Sequence, residues 1–118
     1  MARVTIDDPA RMNLLGLILG NVLERNLQKP ALARRAARLR AEVGVQAGEM
    51  VVTLAFQGGP VTVRRGRPER PRASVQGSLG ALTDLALGGG LVGPVLRGRL
   101  KPRGSWLLLL KLRKLLRV

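Results

Sequence analysis

The side chains able to do covalent chemistry are few. Asp7, Asp8, Glu24, Glu42, Glu49, Glu69 and Asp84 are the only acids, and the 118 residues contain no histidine and no cysteine. That removes thiol nucleophiles, imidazole acid–base catalysis, disulfides and the usual zinc ligands together. General acid–base work would rest on those carboxylates or on a lysine in unusual surroundings. No two of the acids stand at a spacing that makes a catalytic pair: Glu49 opens a strand-like stretch, and Asp84 falls on the outer face of a short helix. Gly88-Gly89-Gly90 is a glycine run, but a phosphate cradle needs such a run between a strand and a helix, followed by Lys-Ser or Lys-Thr. Here it follows a helix and leads to Leu91-Val92-Gly93-Pro94. The residues therefore predict no enzyme, no metal and no cofactor.

What remains is positive charge and apolar surface. The net charge of +14, mostly arginine, attracts polyanions: nucleic acid, anionic lipid headgroups or an acidic protein partner. Compositional bias in an arginine-, alanine- and glycine-rich chain produces the same charge without a partner. Phe56 and Trp106 are the only aromatics, too few for the stacking platforms of single-strand binders, and neither N-terminal helix offers a base-reading face. A basic nucleic-acid-binding protein or an accessory scaffold stands as the alternative function, with nucleic acid disfavoured. No segment reaches the ~20 apolar residues of a membrane-spanning helix. Leu14–Leu23 is interrupted by Gly16, Gly20 and Asn21, is preceded by Asp7-Asp8, and lacks a small-x-small cleavage pattern after it. The expectation is a cytoplasmic protein, with peripheral attachment at the inner membrane as an option.

The elements that must position any site follow from periodicity. Met1 to Ile6 reads as an extended lead. Asp7-Asp8-Pro9 opens a helix over 9–27, with aspartate at the cap and proline in the first turn; Leu14, Leu15, Ile18, Leu19, Val22 and Leu23 form its apolar stripe. Lys29-Pro30 ends it and begins a second helix, in which Leu32, Ala36, Leu39 and Val43 recur at helical spacing until Gly44 and Gly48. Residues 49–57 alternate, with Val52, Leu54 and Phe56 on one face. Gly58-Gly59 turns the chain, and Val61 and Val63 return as a second strand. Residues 64–72 make a basic, proline-broken loop, either merely solvated or polyanion-binding. Ala73–Gln76 reads as an edge-like strand, Gly77-Ser78 caps a helix carrying Leu79, Leu82 and Leu85, and Val95-Leu96 adds a further helical turn. Residues 99–103 form a last strand that Pro102 confines to an edge or bulge. In the closing helix Leu108, Leu109, Leu112, Leu115 and Leu116 share one broad face at 100° per residue. Trp106, Leu107 and Leu110 share the other with Arg113, Lys114 and Arg117. The order predicts one α+β domain over 1–118: a helical pair about 9–43 and a sheet-and-helix body about 49–118.

From Ala73 onward the chain resembles the sterol carrier protein type-2 family, in its bacterial, single-domain form. The resemblance runs through Ala73-Ser74-Val75 and Ser78, Leu79-x-x-Leu82-x-x-Leu85, the glycines after it, Gly98-Arg99-Leu100-Lys101-Pro102-Arg103-Gly104, and Leu107-Leu108-Leu109-Leu110-Lys111-Leu112. The hairpin at 51–63 and the amphipathic helix before it agree. Pro102 departs from the family where an apolar strand residue is usual, as does Ser105-Trp106 where the last helix opens polar or acidic. The resemblance implies a mixed sheet of about four to five strands covered by helices, with an internal apolar tunnel. It also implies non-catalytic binding of a fatty acyl chain, a sterol-like or an isoprenoid molecule, for carriage or for presentation at a membrane. Some relatives act as accessory proteins to lipid-modifying enzymes, which makes such an enzyme an expected partner beside the lipid and an anionic membrane surface.

The apolar faces then converge on one expected cavity. Its walls would draw on Leu14, Ile18 and Val22 of the first helix, Val52, Leu54 and Phe56 of the hairpin, Leu82 and Leu85, and Leu108, Leu112 and Leu115. Trp106, Leu107 and Leu110 would meet the bilayer amid Lys111, Lys114 and Arg117, because indole rings favour the headgroup boundary and basic side chains extend towards lipid phosphates.

Overall fold

The computed structural model describes residues 3–86, 98 and 100–116. Six strands form one mixed sheet: β1 (Val4–Ile6), β2 (Arg40–Ala47), β3 (Met50–Gln57), β4 (Val61–Arg65), β5 (Pro71–Gly77) and β6 (Leu100–Gly104), in the spatial order β1-β4-β3-β2-β5-β6. β1 runs parallel to β4 and β2 parallel to β5; the other neighbours are antiparallel. Helices α1 (Leu14–Asn26), α2 (Pro30–Ala37), α3 (Leu79–Ala86) and α4 (Trp106–Leu116) make the second layer. α1 lies over β1, β3 and β4, α4 lies over β5 and β6, and the two helices touch. The fold is α+β, with six strands where four to five were expected.

The extra strands explain the differences from the sequence reading. β1 is the extended lead, paired as Val4 with Val61 and Ile6 with Val63. β2 occupies residues expected to finish the second helix. That helix ends at Ala37, and Val43, Val45 and Ala47 alternate inward along a central strand. Leu32, Ala36, Leu39 and Val43 do follow helical spacing, but Ala41, Val43, Val45 and Ala47 follow strand spacing, and Val43 belongs to both. Pairing decides between them: β2 hydrogen-bonds β3 on one side and β5 on the other, satisfying both edges of the strand. With β2 in place, β5 is an interior strand rather than an edge. The terminal positions go to β1 and to β6, where Pro102 sits opposite Val75 and its missing N–H breaks no interior ladder.

The first helix also starts later than expected. Pro9–Arg11 forms a single 3-10 turn, and Asp8 preceding it takes a left-handed conformation (φ 48°) without capping through its side chain. The helix proper is capped by Asn13, whose Oδ1 accepts from the Gly16 N–H at 2.9 Å. Ser78 and Ser105 serve α3 and α4 in the same way, each hydroxyl accepting an N–H three residues on, at 3.1 Å.

One continuous hydrophobic core lies between the layers. Leu15, Leu23, Val43, Val52, Leu54, Val61, Val63, Leu100 and Leu115 are fully enclosed. Gly16 and Gly20 bring α1 close to the sheet: a Cβ at Gly20 would stand 2.8 Å from Ile6 Cδ1, and one at Gly16 would stand 3.2 Å from Val52 Cγ1. The helix therefore turns its glycine line inward, and Leu14 and Ile18 fall on its outer flank. Asn26 is buried beside Leu23 and donates from Nδ2 to the Leu115 carbonyl at 2.8 Å. That bond ties the end of α1 to the end of α4, where a last-turn carbonyl has no partner within its own helix.

Candidate functional site

The layer between helices and sheet collects most of the expected wall. Register places Val43 beside Leu54, Val45 beside Val52, and Phe56 beside Val61, so Val52, Leu54 and Phe56 form the floor on the helix-facing side. Leu108, Leu112 and Leu115 of α4 are buried against the same core, together with Leu109. Leu82 is half-buried and packs on it, and Val22 is half-buried as well. Leu14 and Ile18 are instead exposed, Leu14 at 56%. The Leu85 side chain, Arg117, the glycine run at 88–90 and the expected turn at Val95-Leu96 lie outside the described residues.

The outer side of the helix layer carries exposed apolar side chains as well as charged ones. The exposed large hydrophobics among the described residues are Leu14, Leu17, Ile18, Leu79, Trp106 and Leu107. They stand on α1, α3 and α4 only; no strand contributes one. Leu107 is 62% exposed and Trp106 38%, while Leu110 is half-buried against the core. Lys111 and Lys114 are exposed beside them. Two features were not legible as site elements. Asn26 was not singled out in the sequence, where nothing local marks it as a tie to α4. Gly16 and Gly20, four residues apart, carried the signal for close packing of α1 but were read as interruptions.

Among the described residues no group of acidic side chains could hold a metal ion, and no buried side-chain polar atom is left without a partner. No described helix is long and apolar enough to cross a membrane. A family model described as the SCP-2 sterol transfer family matches residues 19–117. The chain belongs to that family. Among solved structures, it superposes on a ubiquinone synthesis protein, UbiJ-SCP2, with TM-score 0.73 and 19% identity over 87% of this chain and 93% of that one. Sterol carrier protein 2 of Yarrowia lipolytica matches at TM-score 0.64 and 16% identity, over 89% of this chain and 94% of that one. The sec-alkylsulfatase Pisa1 of Pseudomonas sp. matches at TM-score 0.73 and 16% identity, over 94% of this chain but only 17% of its own length. At these identities the superpositions show a shared fold. No curated protein sequence matches the chain. The fold thus occurs both as nearly a whole chain and as a small part of a much longer one.

Proposed function

We propose that this protein is a non-catalytic lipid binder. It holds a fatty acyl, sterol-like or isoprenoid molecule between α1, α3 and α4 and the helix-facing side of β2, β3 and β4, and carries it or presents it at a membrane. The observation that carries the reading is the one-sided distribution of apolar surface. The helix layer is leucine-rich on its inner side and keeps Leu14, Leu17, Ile18, Leu79, Trp106 and Leu107 exposed on its outer side. A layer that only closed a core would be polar outside. Family membership points the same way, since the family is described by sterol transfer. Each CH₂ of ligand moved from water into this layer contributes about 0.8 kcal/mol, so a long acyl chain or a ring system binds without polar anchors. Trp106 and Leu107 form the membrane contact, Lys111, Lys114 and Arg117 draw it to anionic headgroups, and the working place is the cytoplasm or the inner membrane surface. Service to a lipid-modifying enzyme is the same activity with an added partner.

The test is displacement of a fluorescent fatty acid from the wild type and from Leu112→Arg and Leu54→Arg, compared with Leu107→Arg, where the charge lands on exposed surface. Saturable binding in the wild type and Leu107→Arg, lost in variants that keep their circular dichroism, supports the reading. Equal affinity across the set removes it. Should both interior variants unfold, Leu112→Ala and Leu54→Ala replace them, with weakened binding expected.

A further inference from the structure

The basic loop between β4 and β5 lies apart from the proposed lipid layer, yet it is built into the fold. It crosses the sheet face that points away from the helices. Thr53 Oγ donates to the Gly66 carbonyl at 2.9 Å, and the Gly66 N–H donates to the Val51 carbonyl at 2.9 Å, so β3 holds the loop twice. Gly66 takes φ 101°. Pro68 then rests on Gly44 of β2, where a Cβ would stand 3.2 Å from the proline Cδ. The result is a groove of about 400 Å³ between the loop and β6.

Its polar groups form two rungs. Register aligns Gly44, Ser74 and Arg103 across β2, β5 and β6, and two residues along it aligns Gln46, Gln76 and Lys101. Adjacent strands are about 4.8 Å apart and the rungs about 7 Å apart, so Ser74 and Gln76 lie beside the two cations of β6. Arg67 enters from the loop, its Nη2 donating to Gln46 Oε1 at 3.5 Å. No acid lines the groove. Arg67, Lys101 and Arg103 form no ion pair among the described residues; Glu69 belongs to the same loop but does not line the groove, and Glu42 on this face is occupied by Arg64 at 2.8 Å. Neither aromatic residue reaches it: Phe56 is buried in the core and Trp106 belongs to α4.

We propose that this groove binds the phosphate group of a small phosphate ester, on the sheet face opposite the lipid layer. Uncompensated guanidinium groups from two sides can take phosphate oxygens in forked pairs, Lys101 adds a point charge, and Ser74 and Gln76 supply neutral hydrogen bonds. Without an aromatic surface the groove does not stack a nucleobase, so the ester group itself is what it recognises. The proposal stands apart from the lipid reading, which uses the other face.

Calorimetric titration of the full chain with glycerol 3-phosphate, beside inorganic phosphate, tests it. One saturable site is expected. Arg67→Gln with Arg103→Gln should weaken it at least about tenfold, and the uncharged change Ser74→Ala about threefold. Arg34→Gln with Arg38→Gln, which removes the same charge from α2 and the residue that ends it, should change it by less than about twofold. Vesicles of phosphatidylcholine with phosphatidic acid distinguish the source of the ester. Vesicle binding that the groove pair loses and glycerol 3-phosphate competes away assigns a lipid headgroup; vesicle binding that ignores both assigns a soluble ester. Absence of a saturable site, equal losses in the two arginine pairs, or an oligonucleotide or acidic peptide outcompeting the ester would overturn it. Fatty-acid displacement, read separately on each variant, should not move.

Discussion

Replacing Asn26 by leucine should loosen the joint on which the helix layer turns. Asn26 is only 2% exposed, and its Nδ2 donates to the Leu115 carbonyl at 2.8 Å. Leucine is an apolar side chain of broadly similar size, so little cavity forms, and the substitution removes the polar interactions of the Asn26 amide, this bond among them. A buried carbonyl left without its donor costs about 1–3 kcal/mol, offset in part by the apolar gain of the new side chain, which leaves a net loss of about 1–2 kcal/mol. For a domain of this size that lowers the melting temperature by about 3–10 °C. The carbonyl belongs to the last turn of α4, which carries Leu108, Leu112 and Leu115 on its buried face. Freed at this end, α4 should part from α1 more readily, and a bound fatty acid should leave faster, by about tenfold for each 1.4 kcal/mol expressed in the opening. Thermal denaturation with stopped-flow transfer of a fluorescent fatty acid to acceptor vesicles reads both quantities. An unchanged melting temperature together with an unchanged release rate would refute the reasoning, because the bond would then neither hold the layer nor gate it.

Two further substitutions probe other parts of the account. Trp106→Ser combined with Leu107→Ser should slow lipid transfer to anionic vesicles several-fold while equilibrium binding stays within about twofold, since neither side chain belongs to the buried core cluster; transfer at the wild-type rate would remove the membrane-contact role. Gly104→Ala should lower the urea midpoint by an amount equivalent to about 2 kcal/mol or more, because Gly104 has φ 79° and a Cβ there would collide with the Arg72 carbonyl that the Ser105 N–H already uses at 2.9 Å. A wild-type midpoint would show that the passage from β6 into α4 is looser than drawn.

Much of the fold was legible because it rests on local signals. The alternation at 51–57, the Gly58-Gly59 turn, the Ser78 cap and the leucine face of α4 need no distant residue to be read. What escaped depends on partners far along the chain. β2 is a strand because β3 and β5 offer it two edges, which no window around Val43 contains. β1 is three residues long and exists through β4. The rotation of α1 escaped for a different reason: weight was placed on leucines, whereas two small residues set the closest approach to the sheet and turned Leu14 and Ile18 outward. In the candidate site, the inner faces of the hairpin and of α4 follow from periodicity. The Asn26 tie and the two-rung groove follow from strand register and packing, and these do not show in spacing.

Native mass spectrometry of the protein taken gently from cells, followed by solvent extraction, addresses the central claim most directly. The account predicts a population heavier than the bare chain by the mass of a lipid, released by organic solvent and absent from a folded Leu112→Arg variant. A bare chain alone, or a bound species that survives solvent extraction or proves to be nucleic acid, would contradict it.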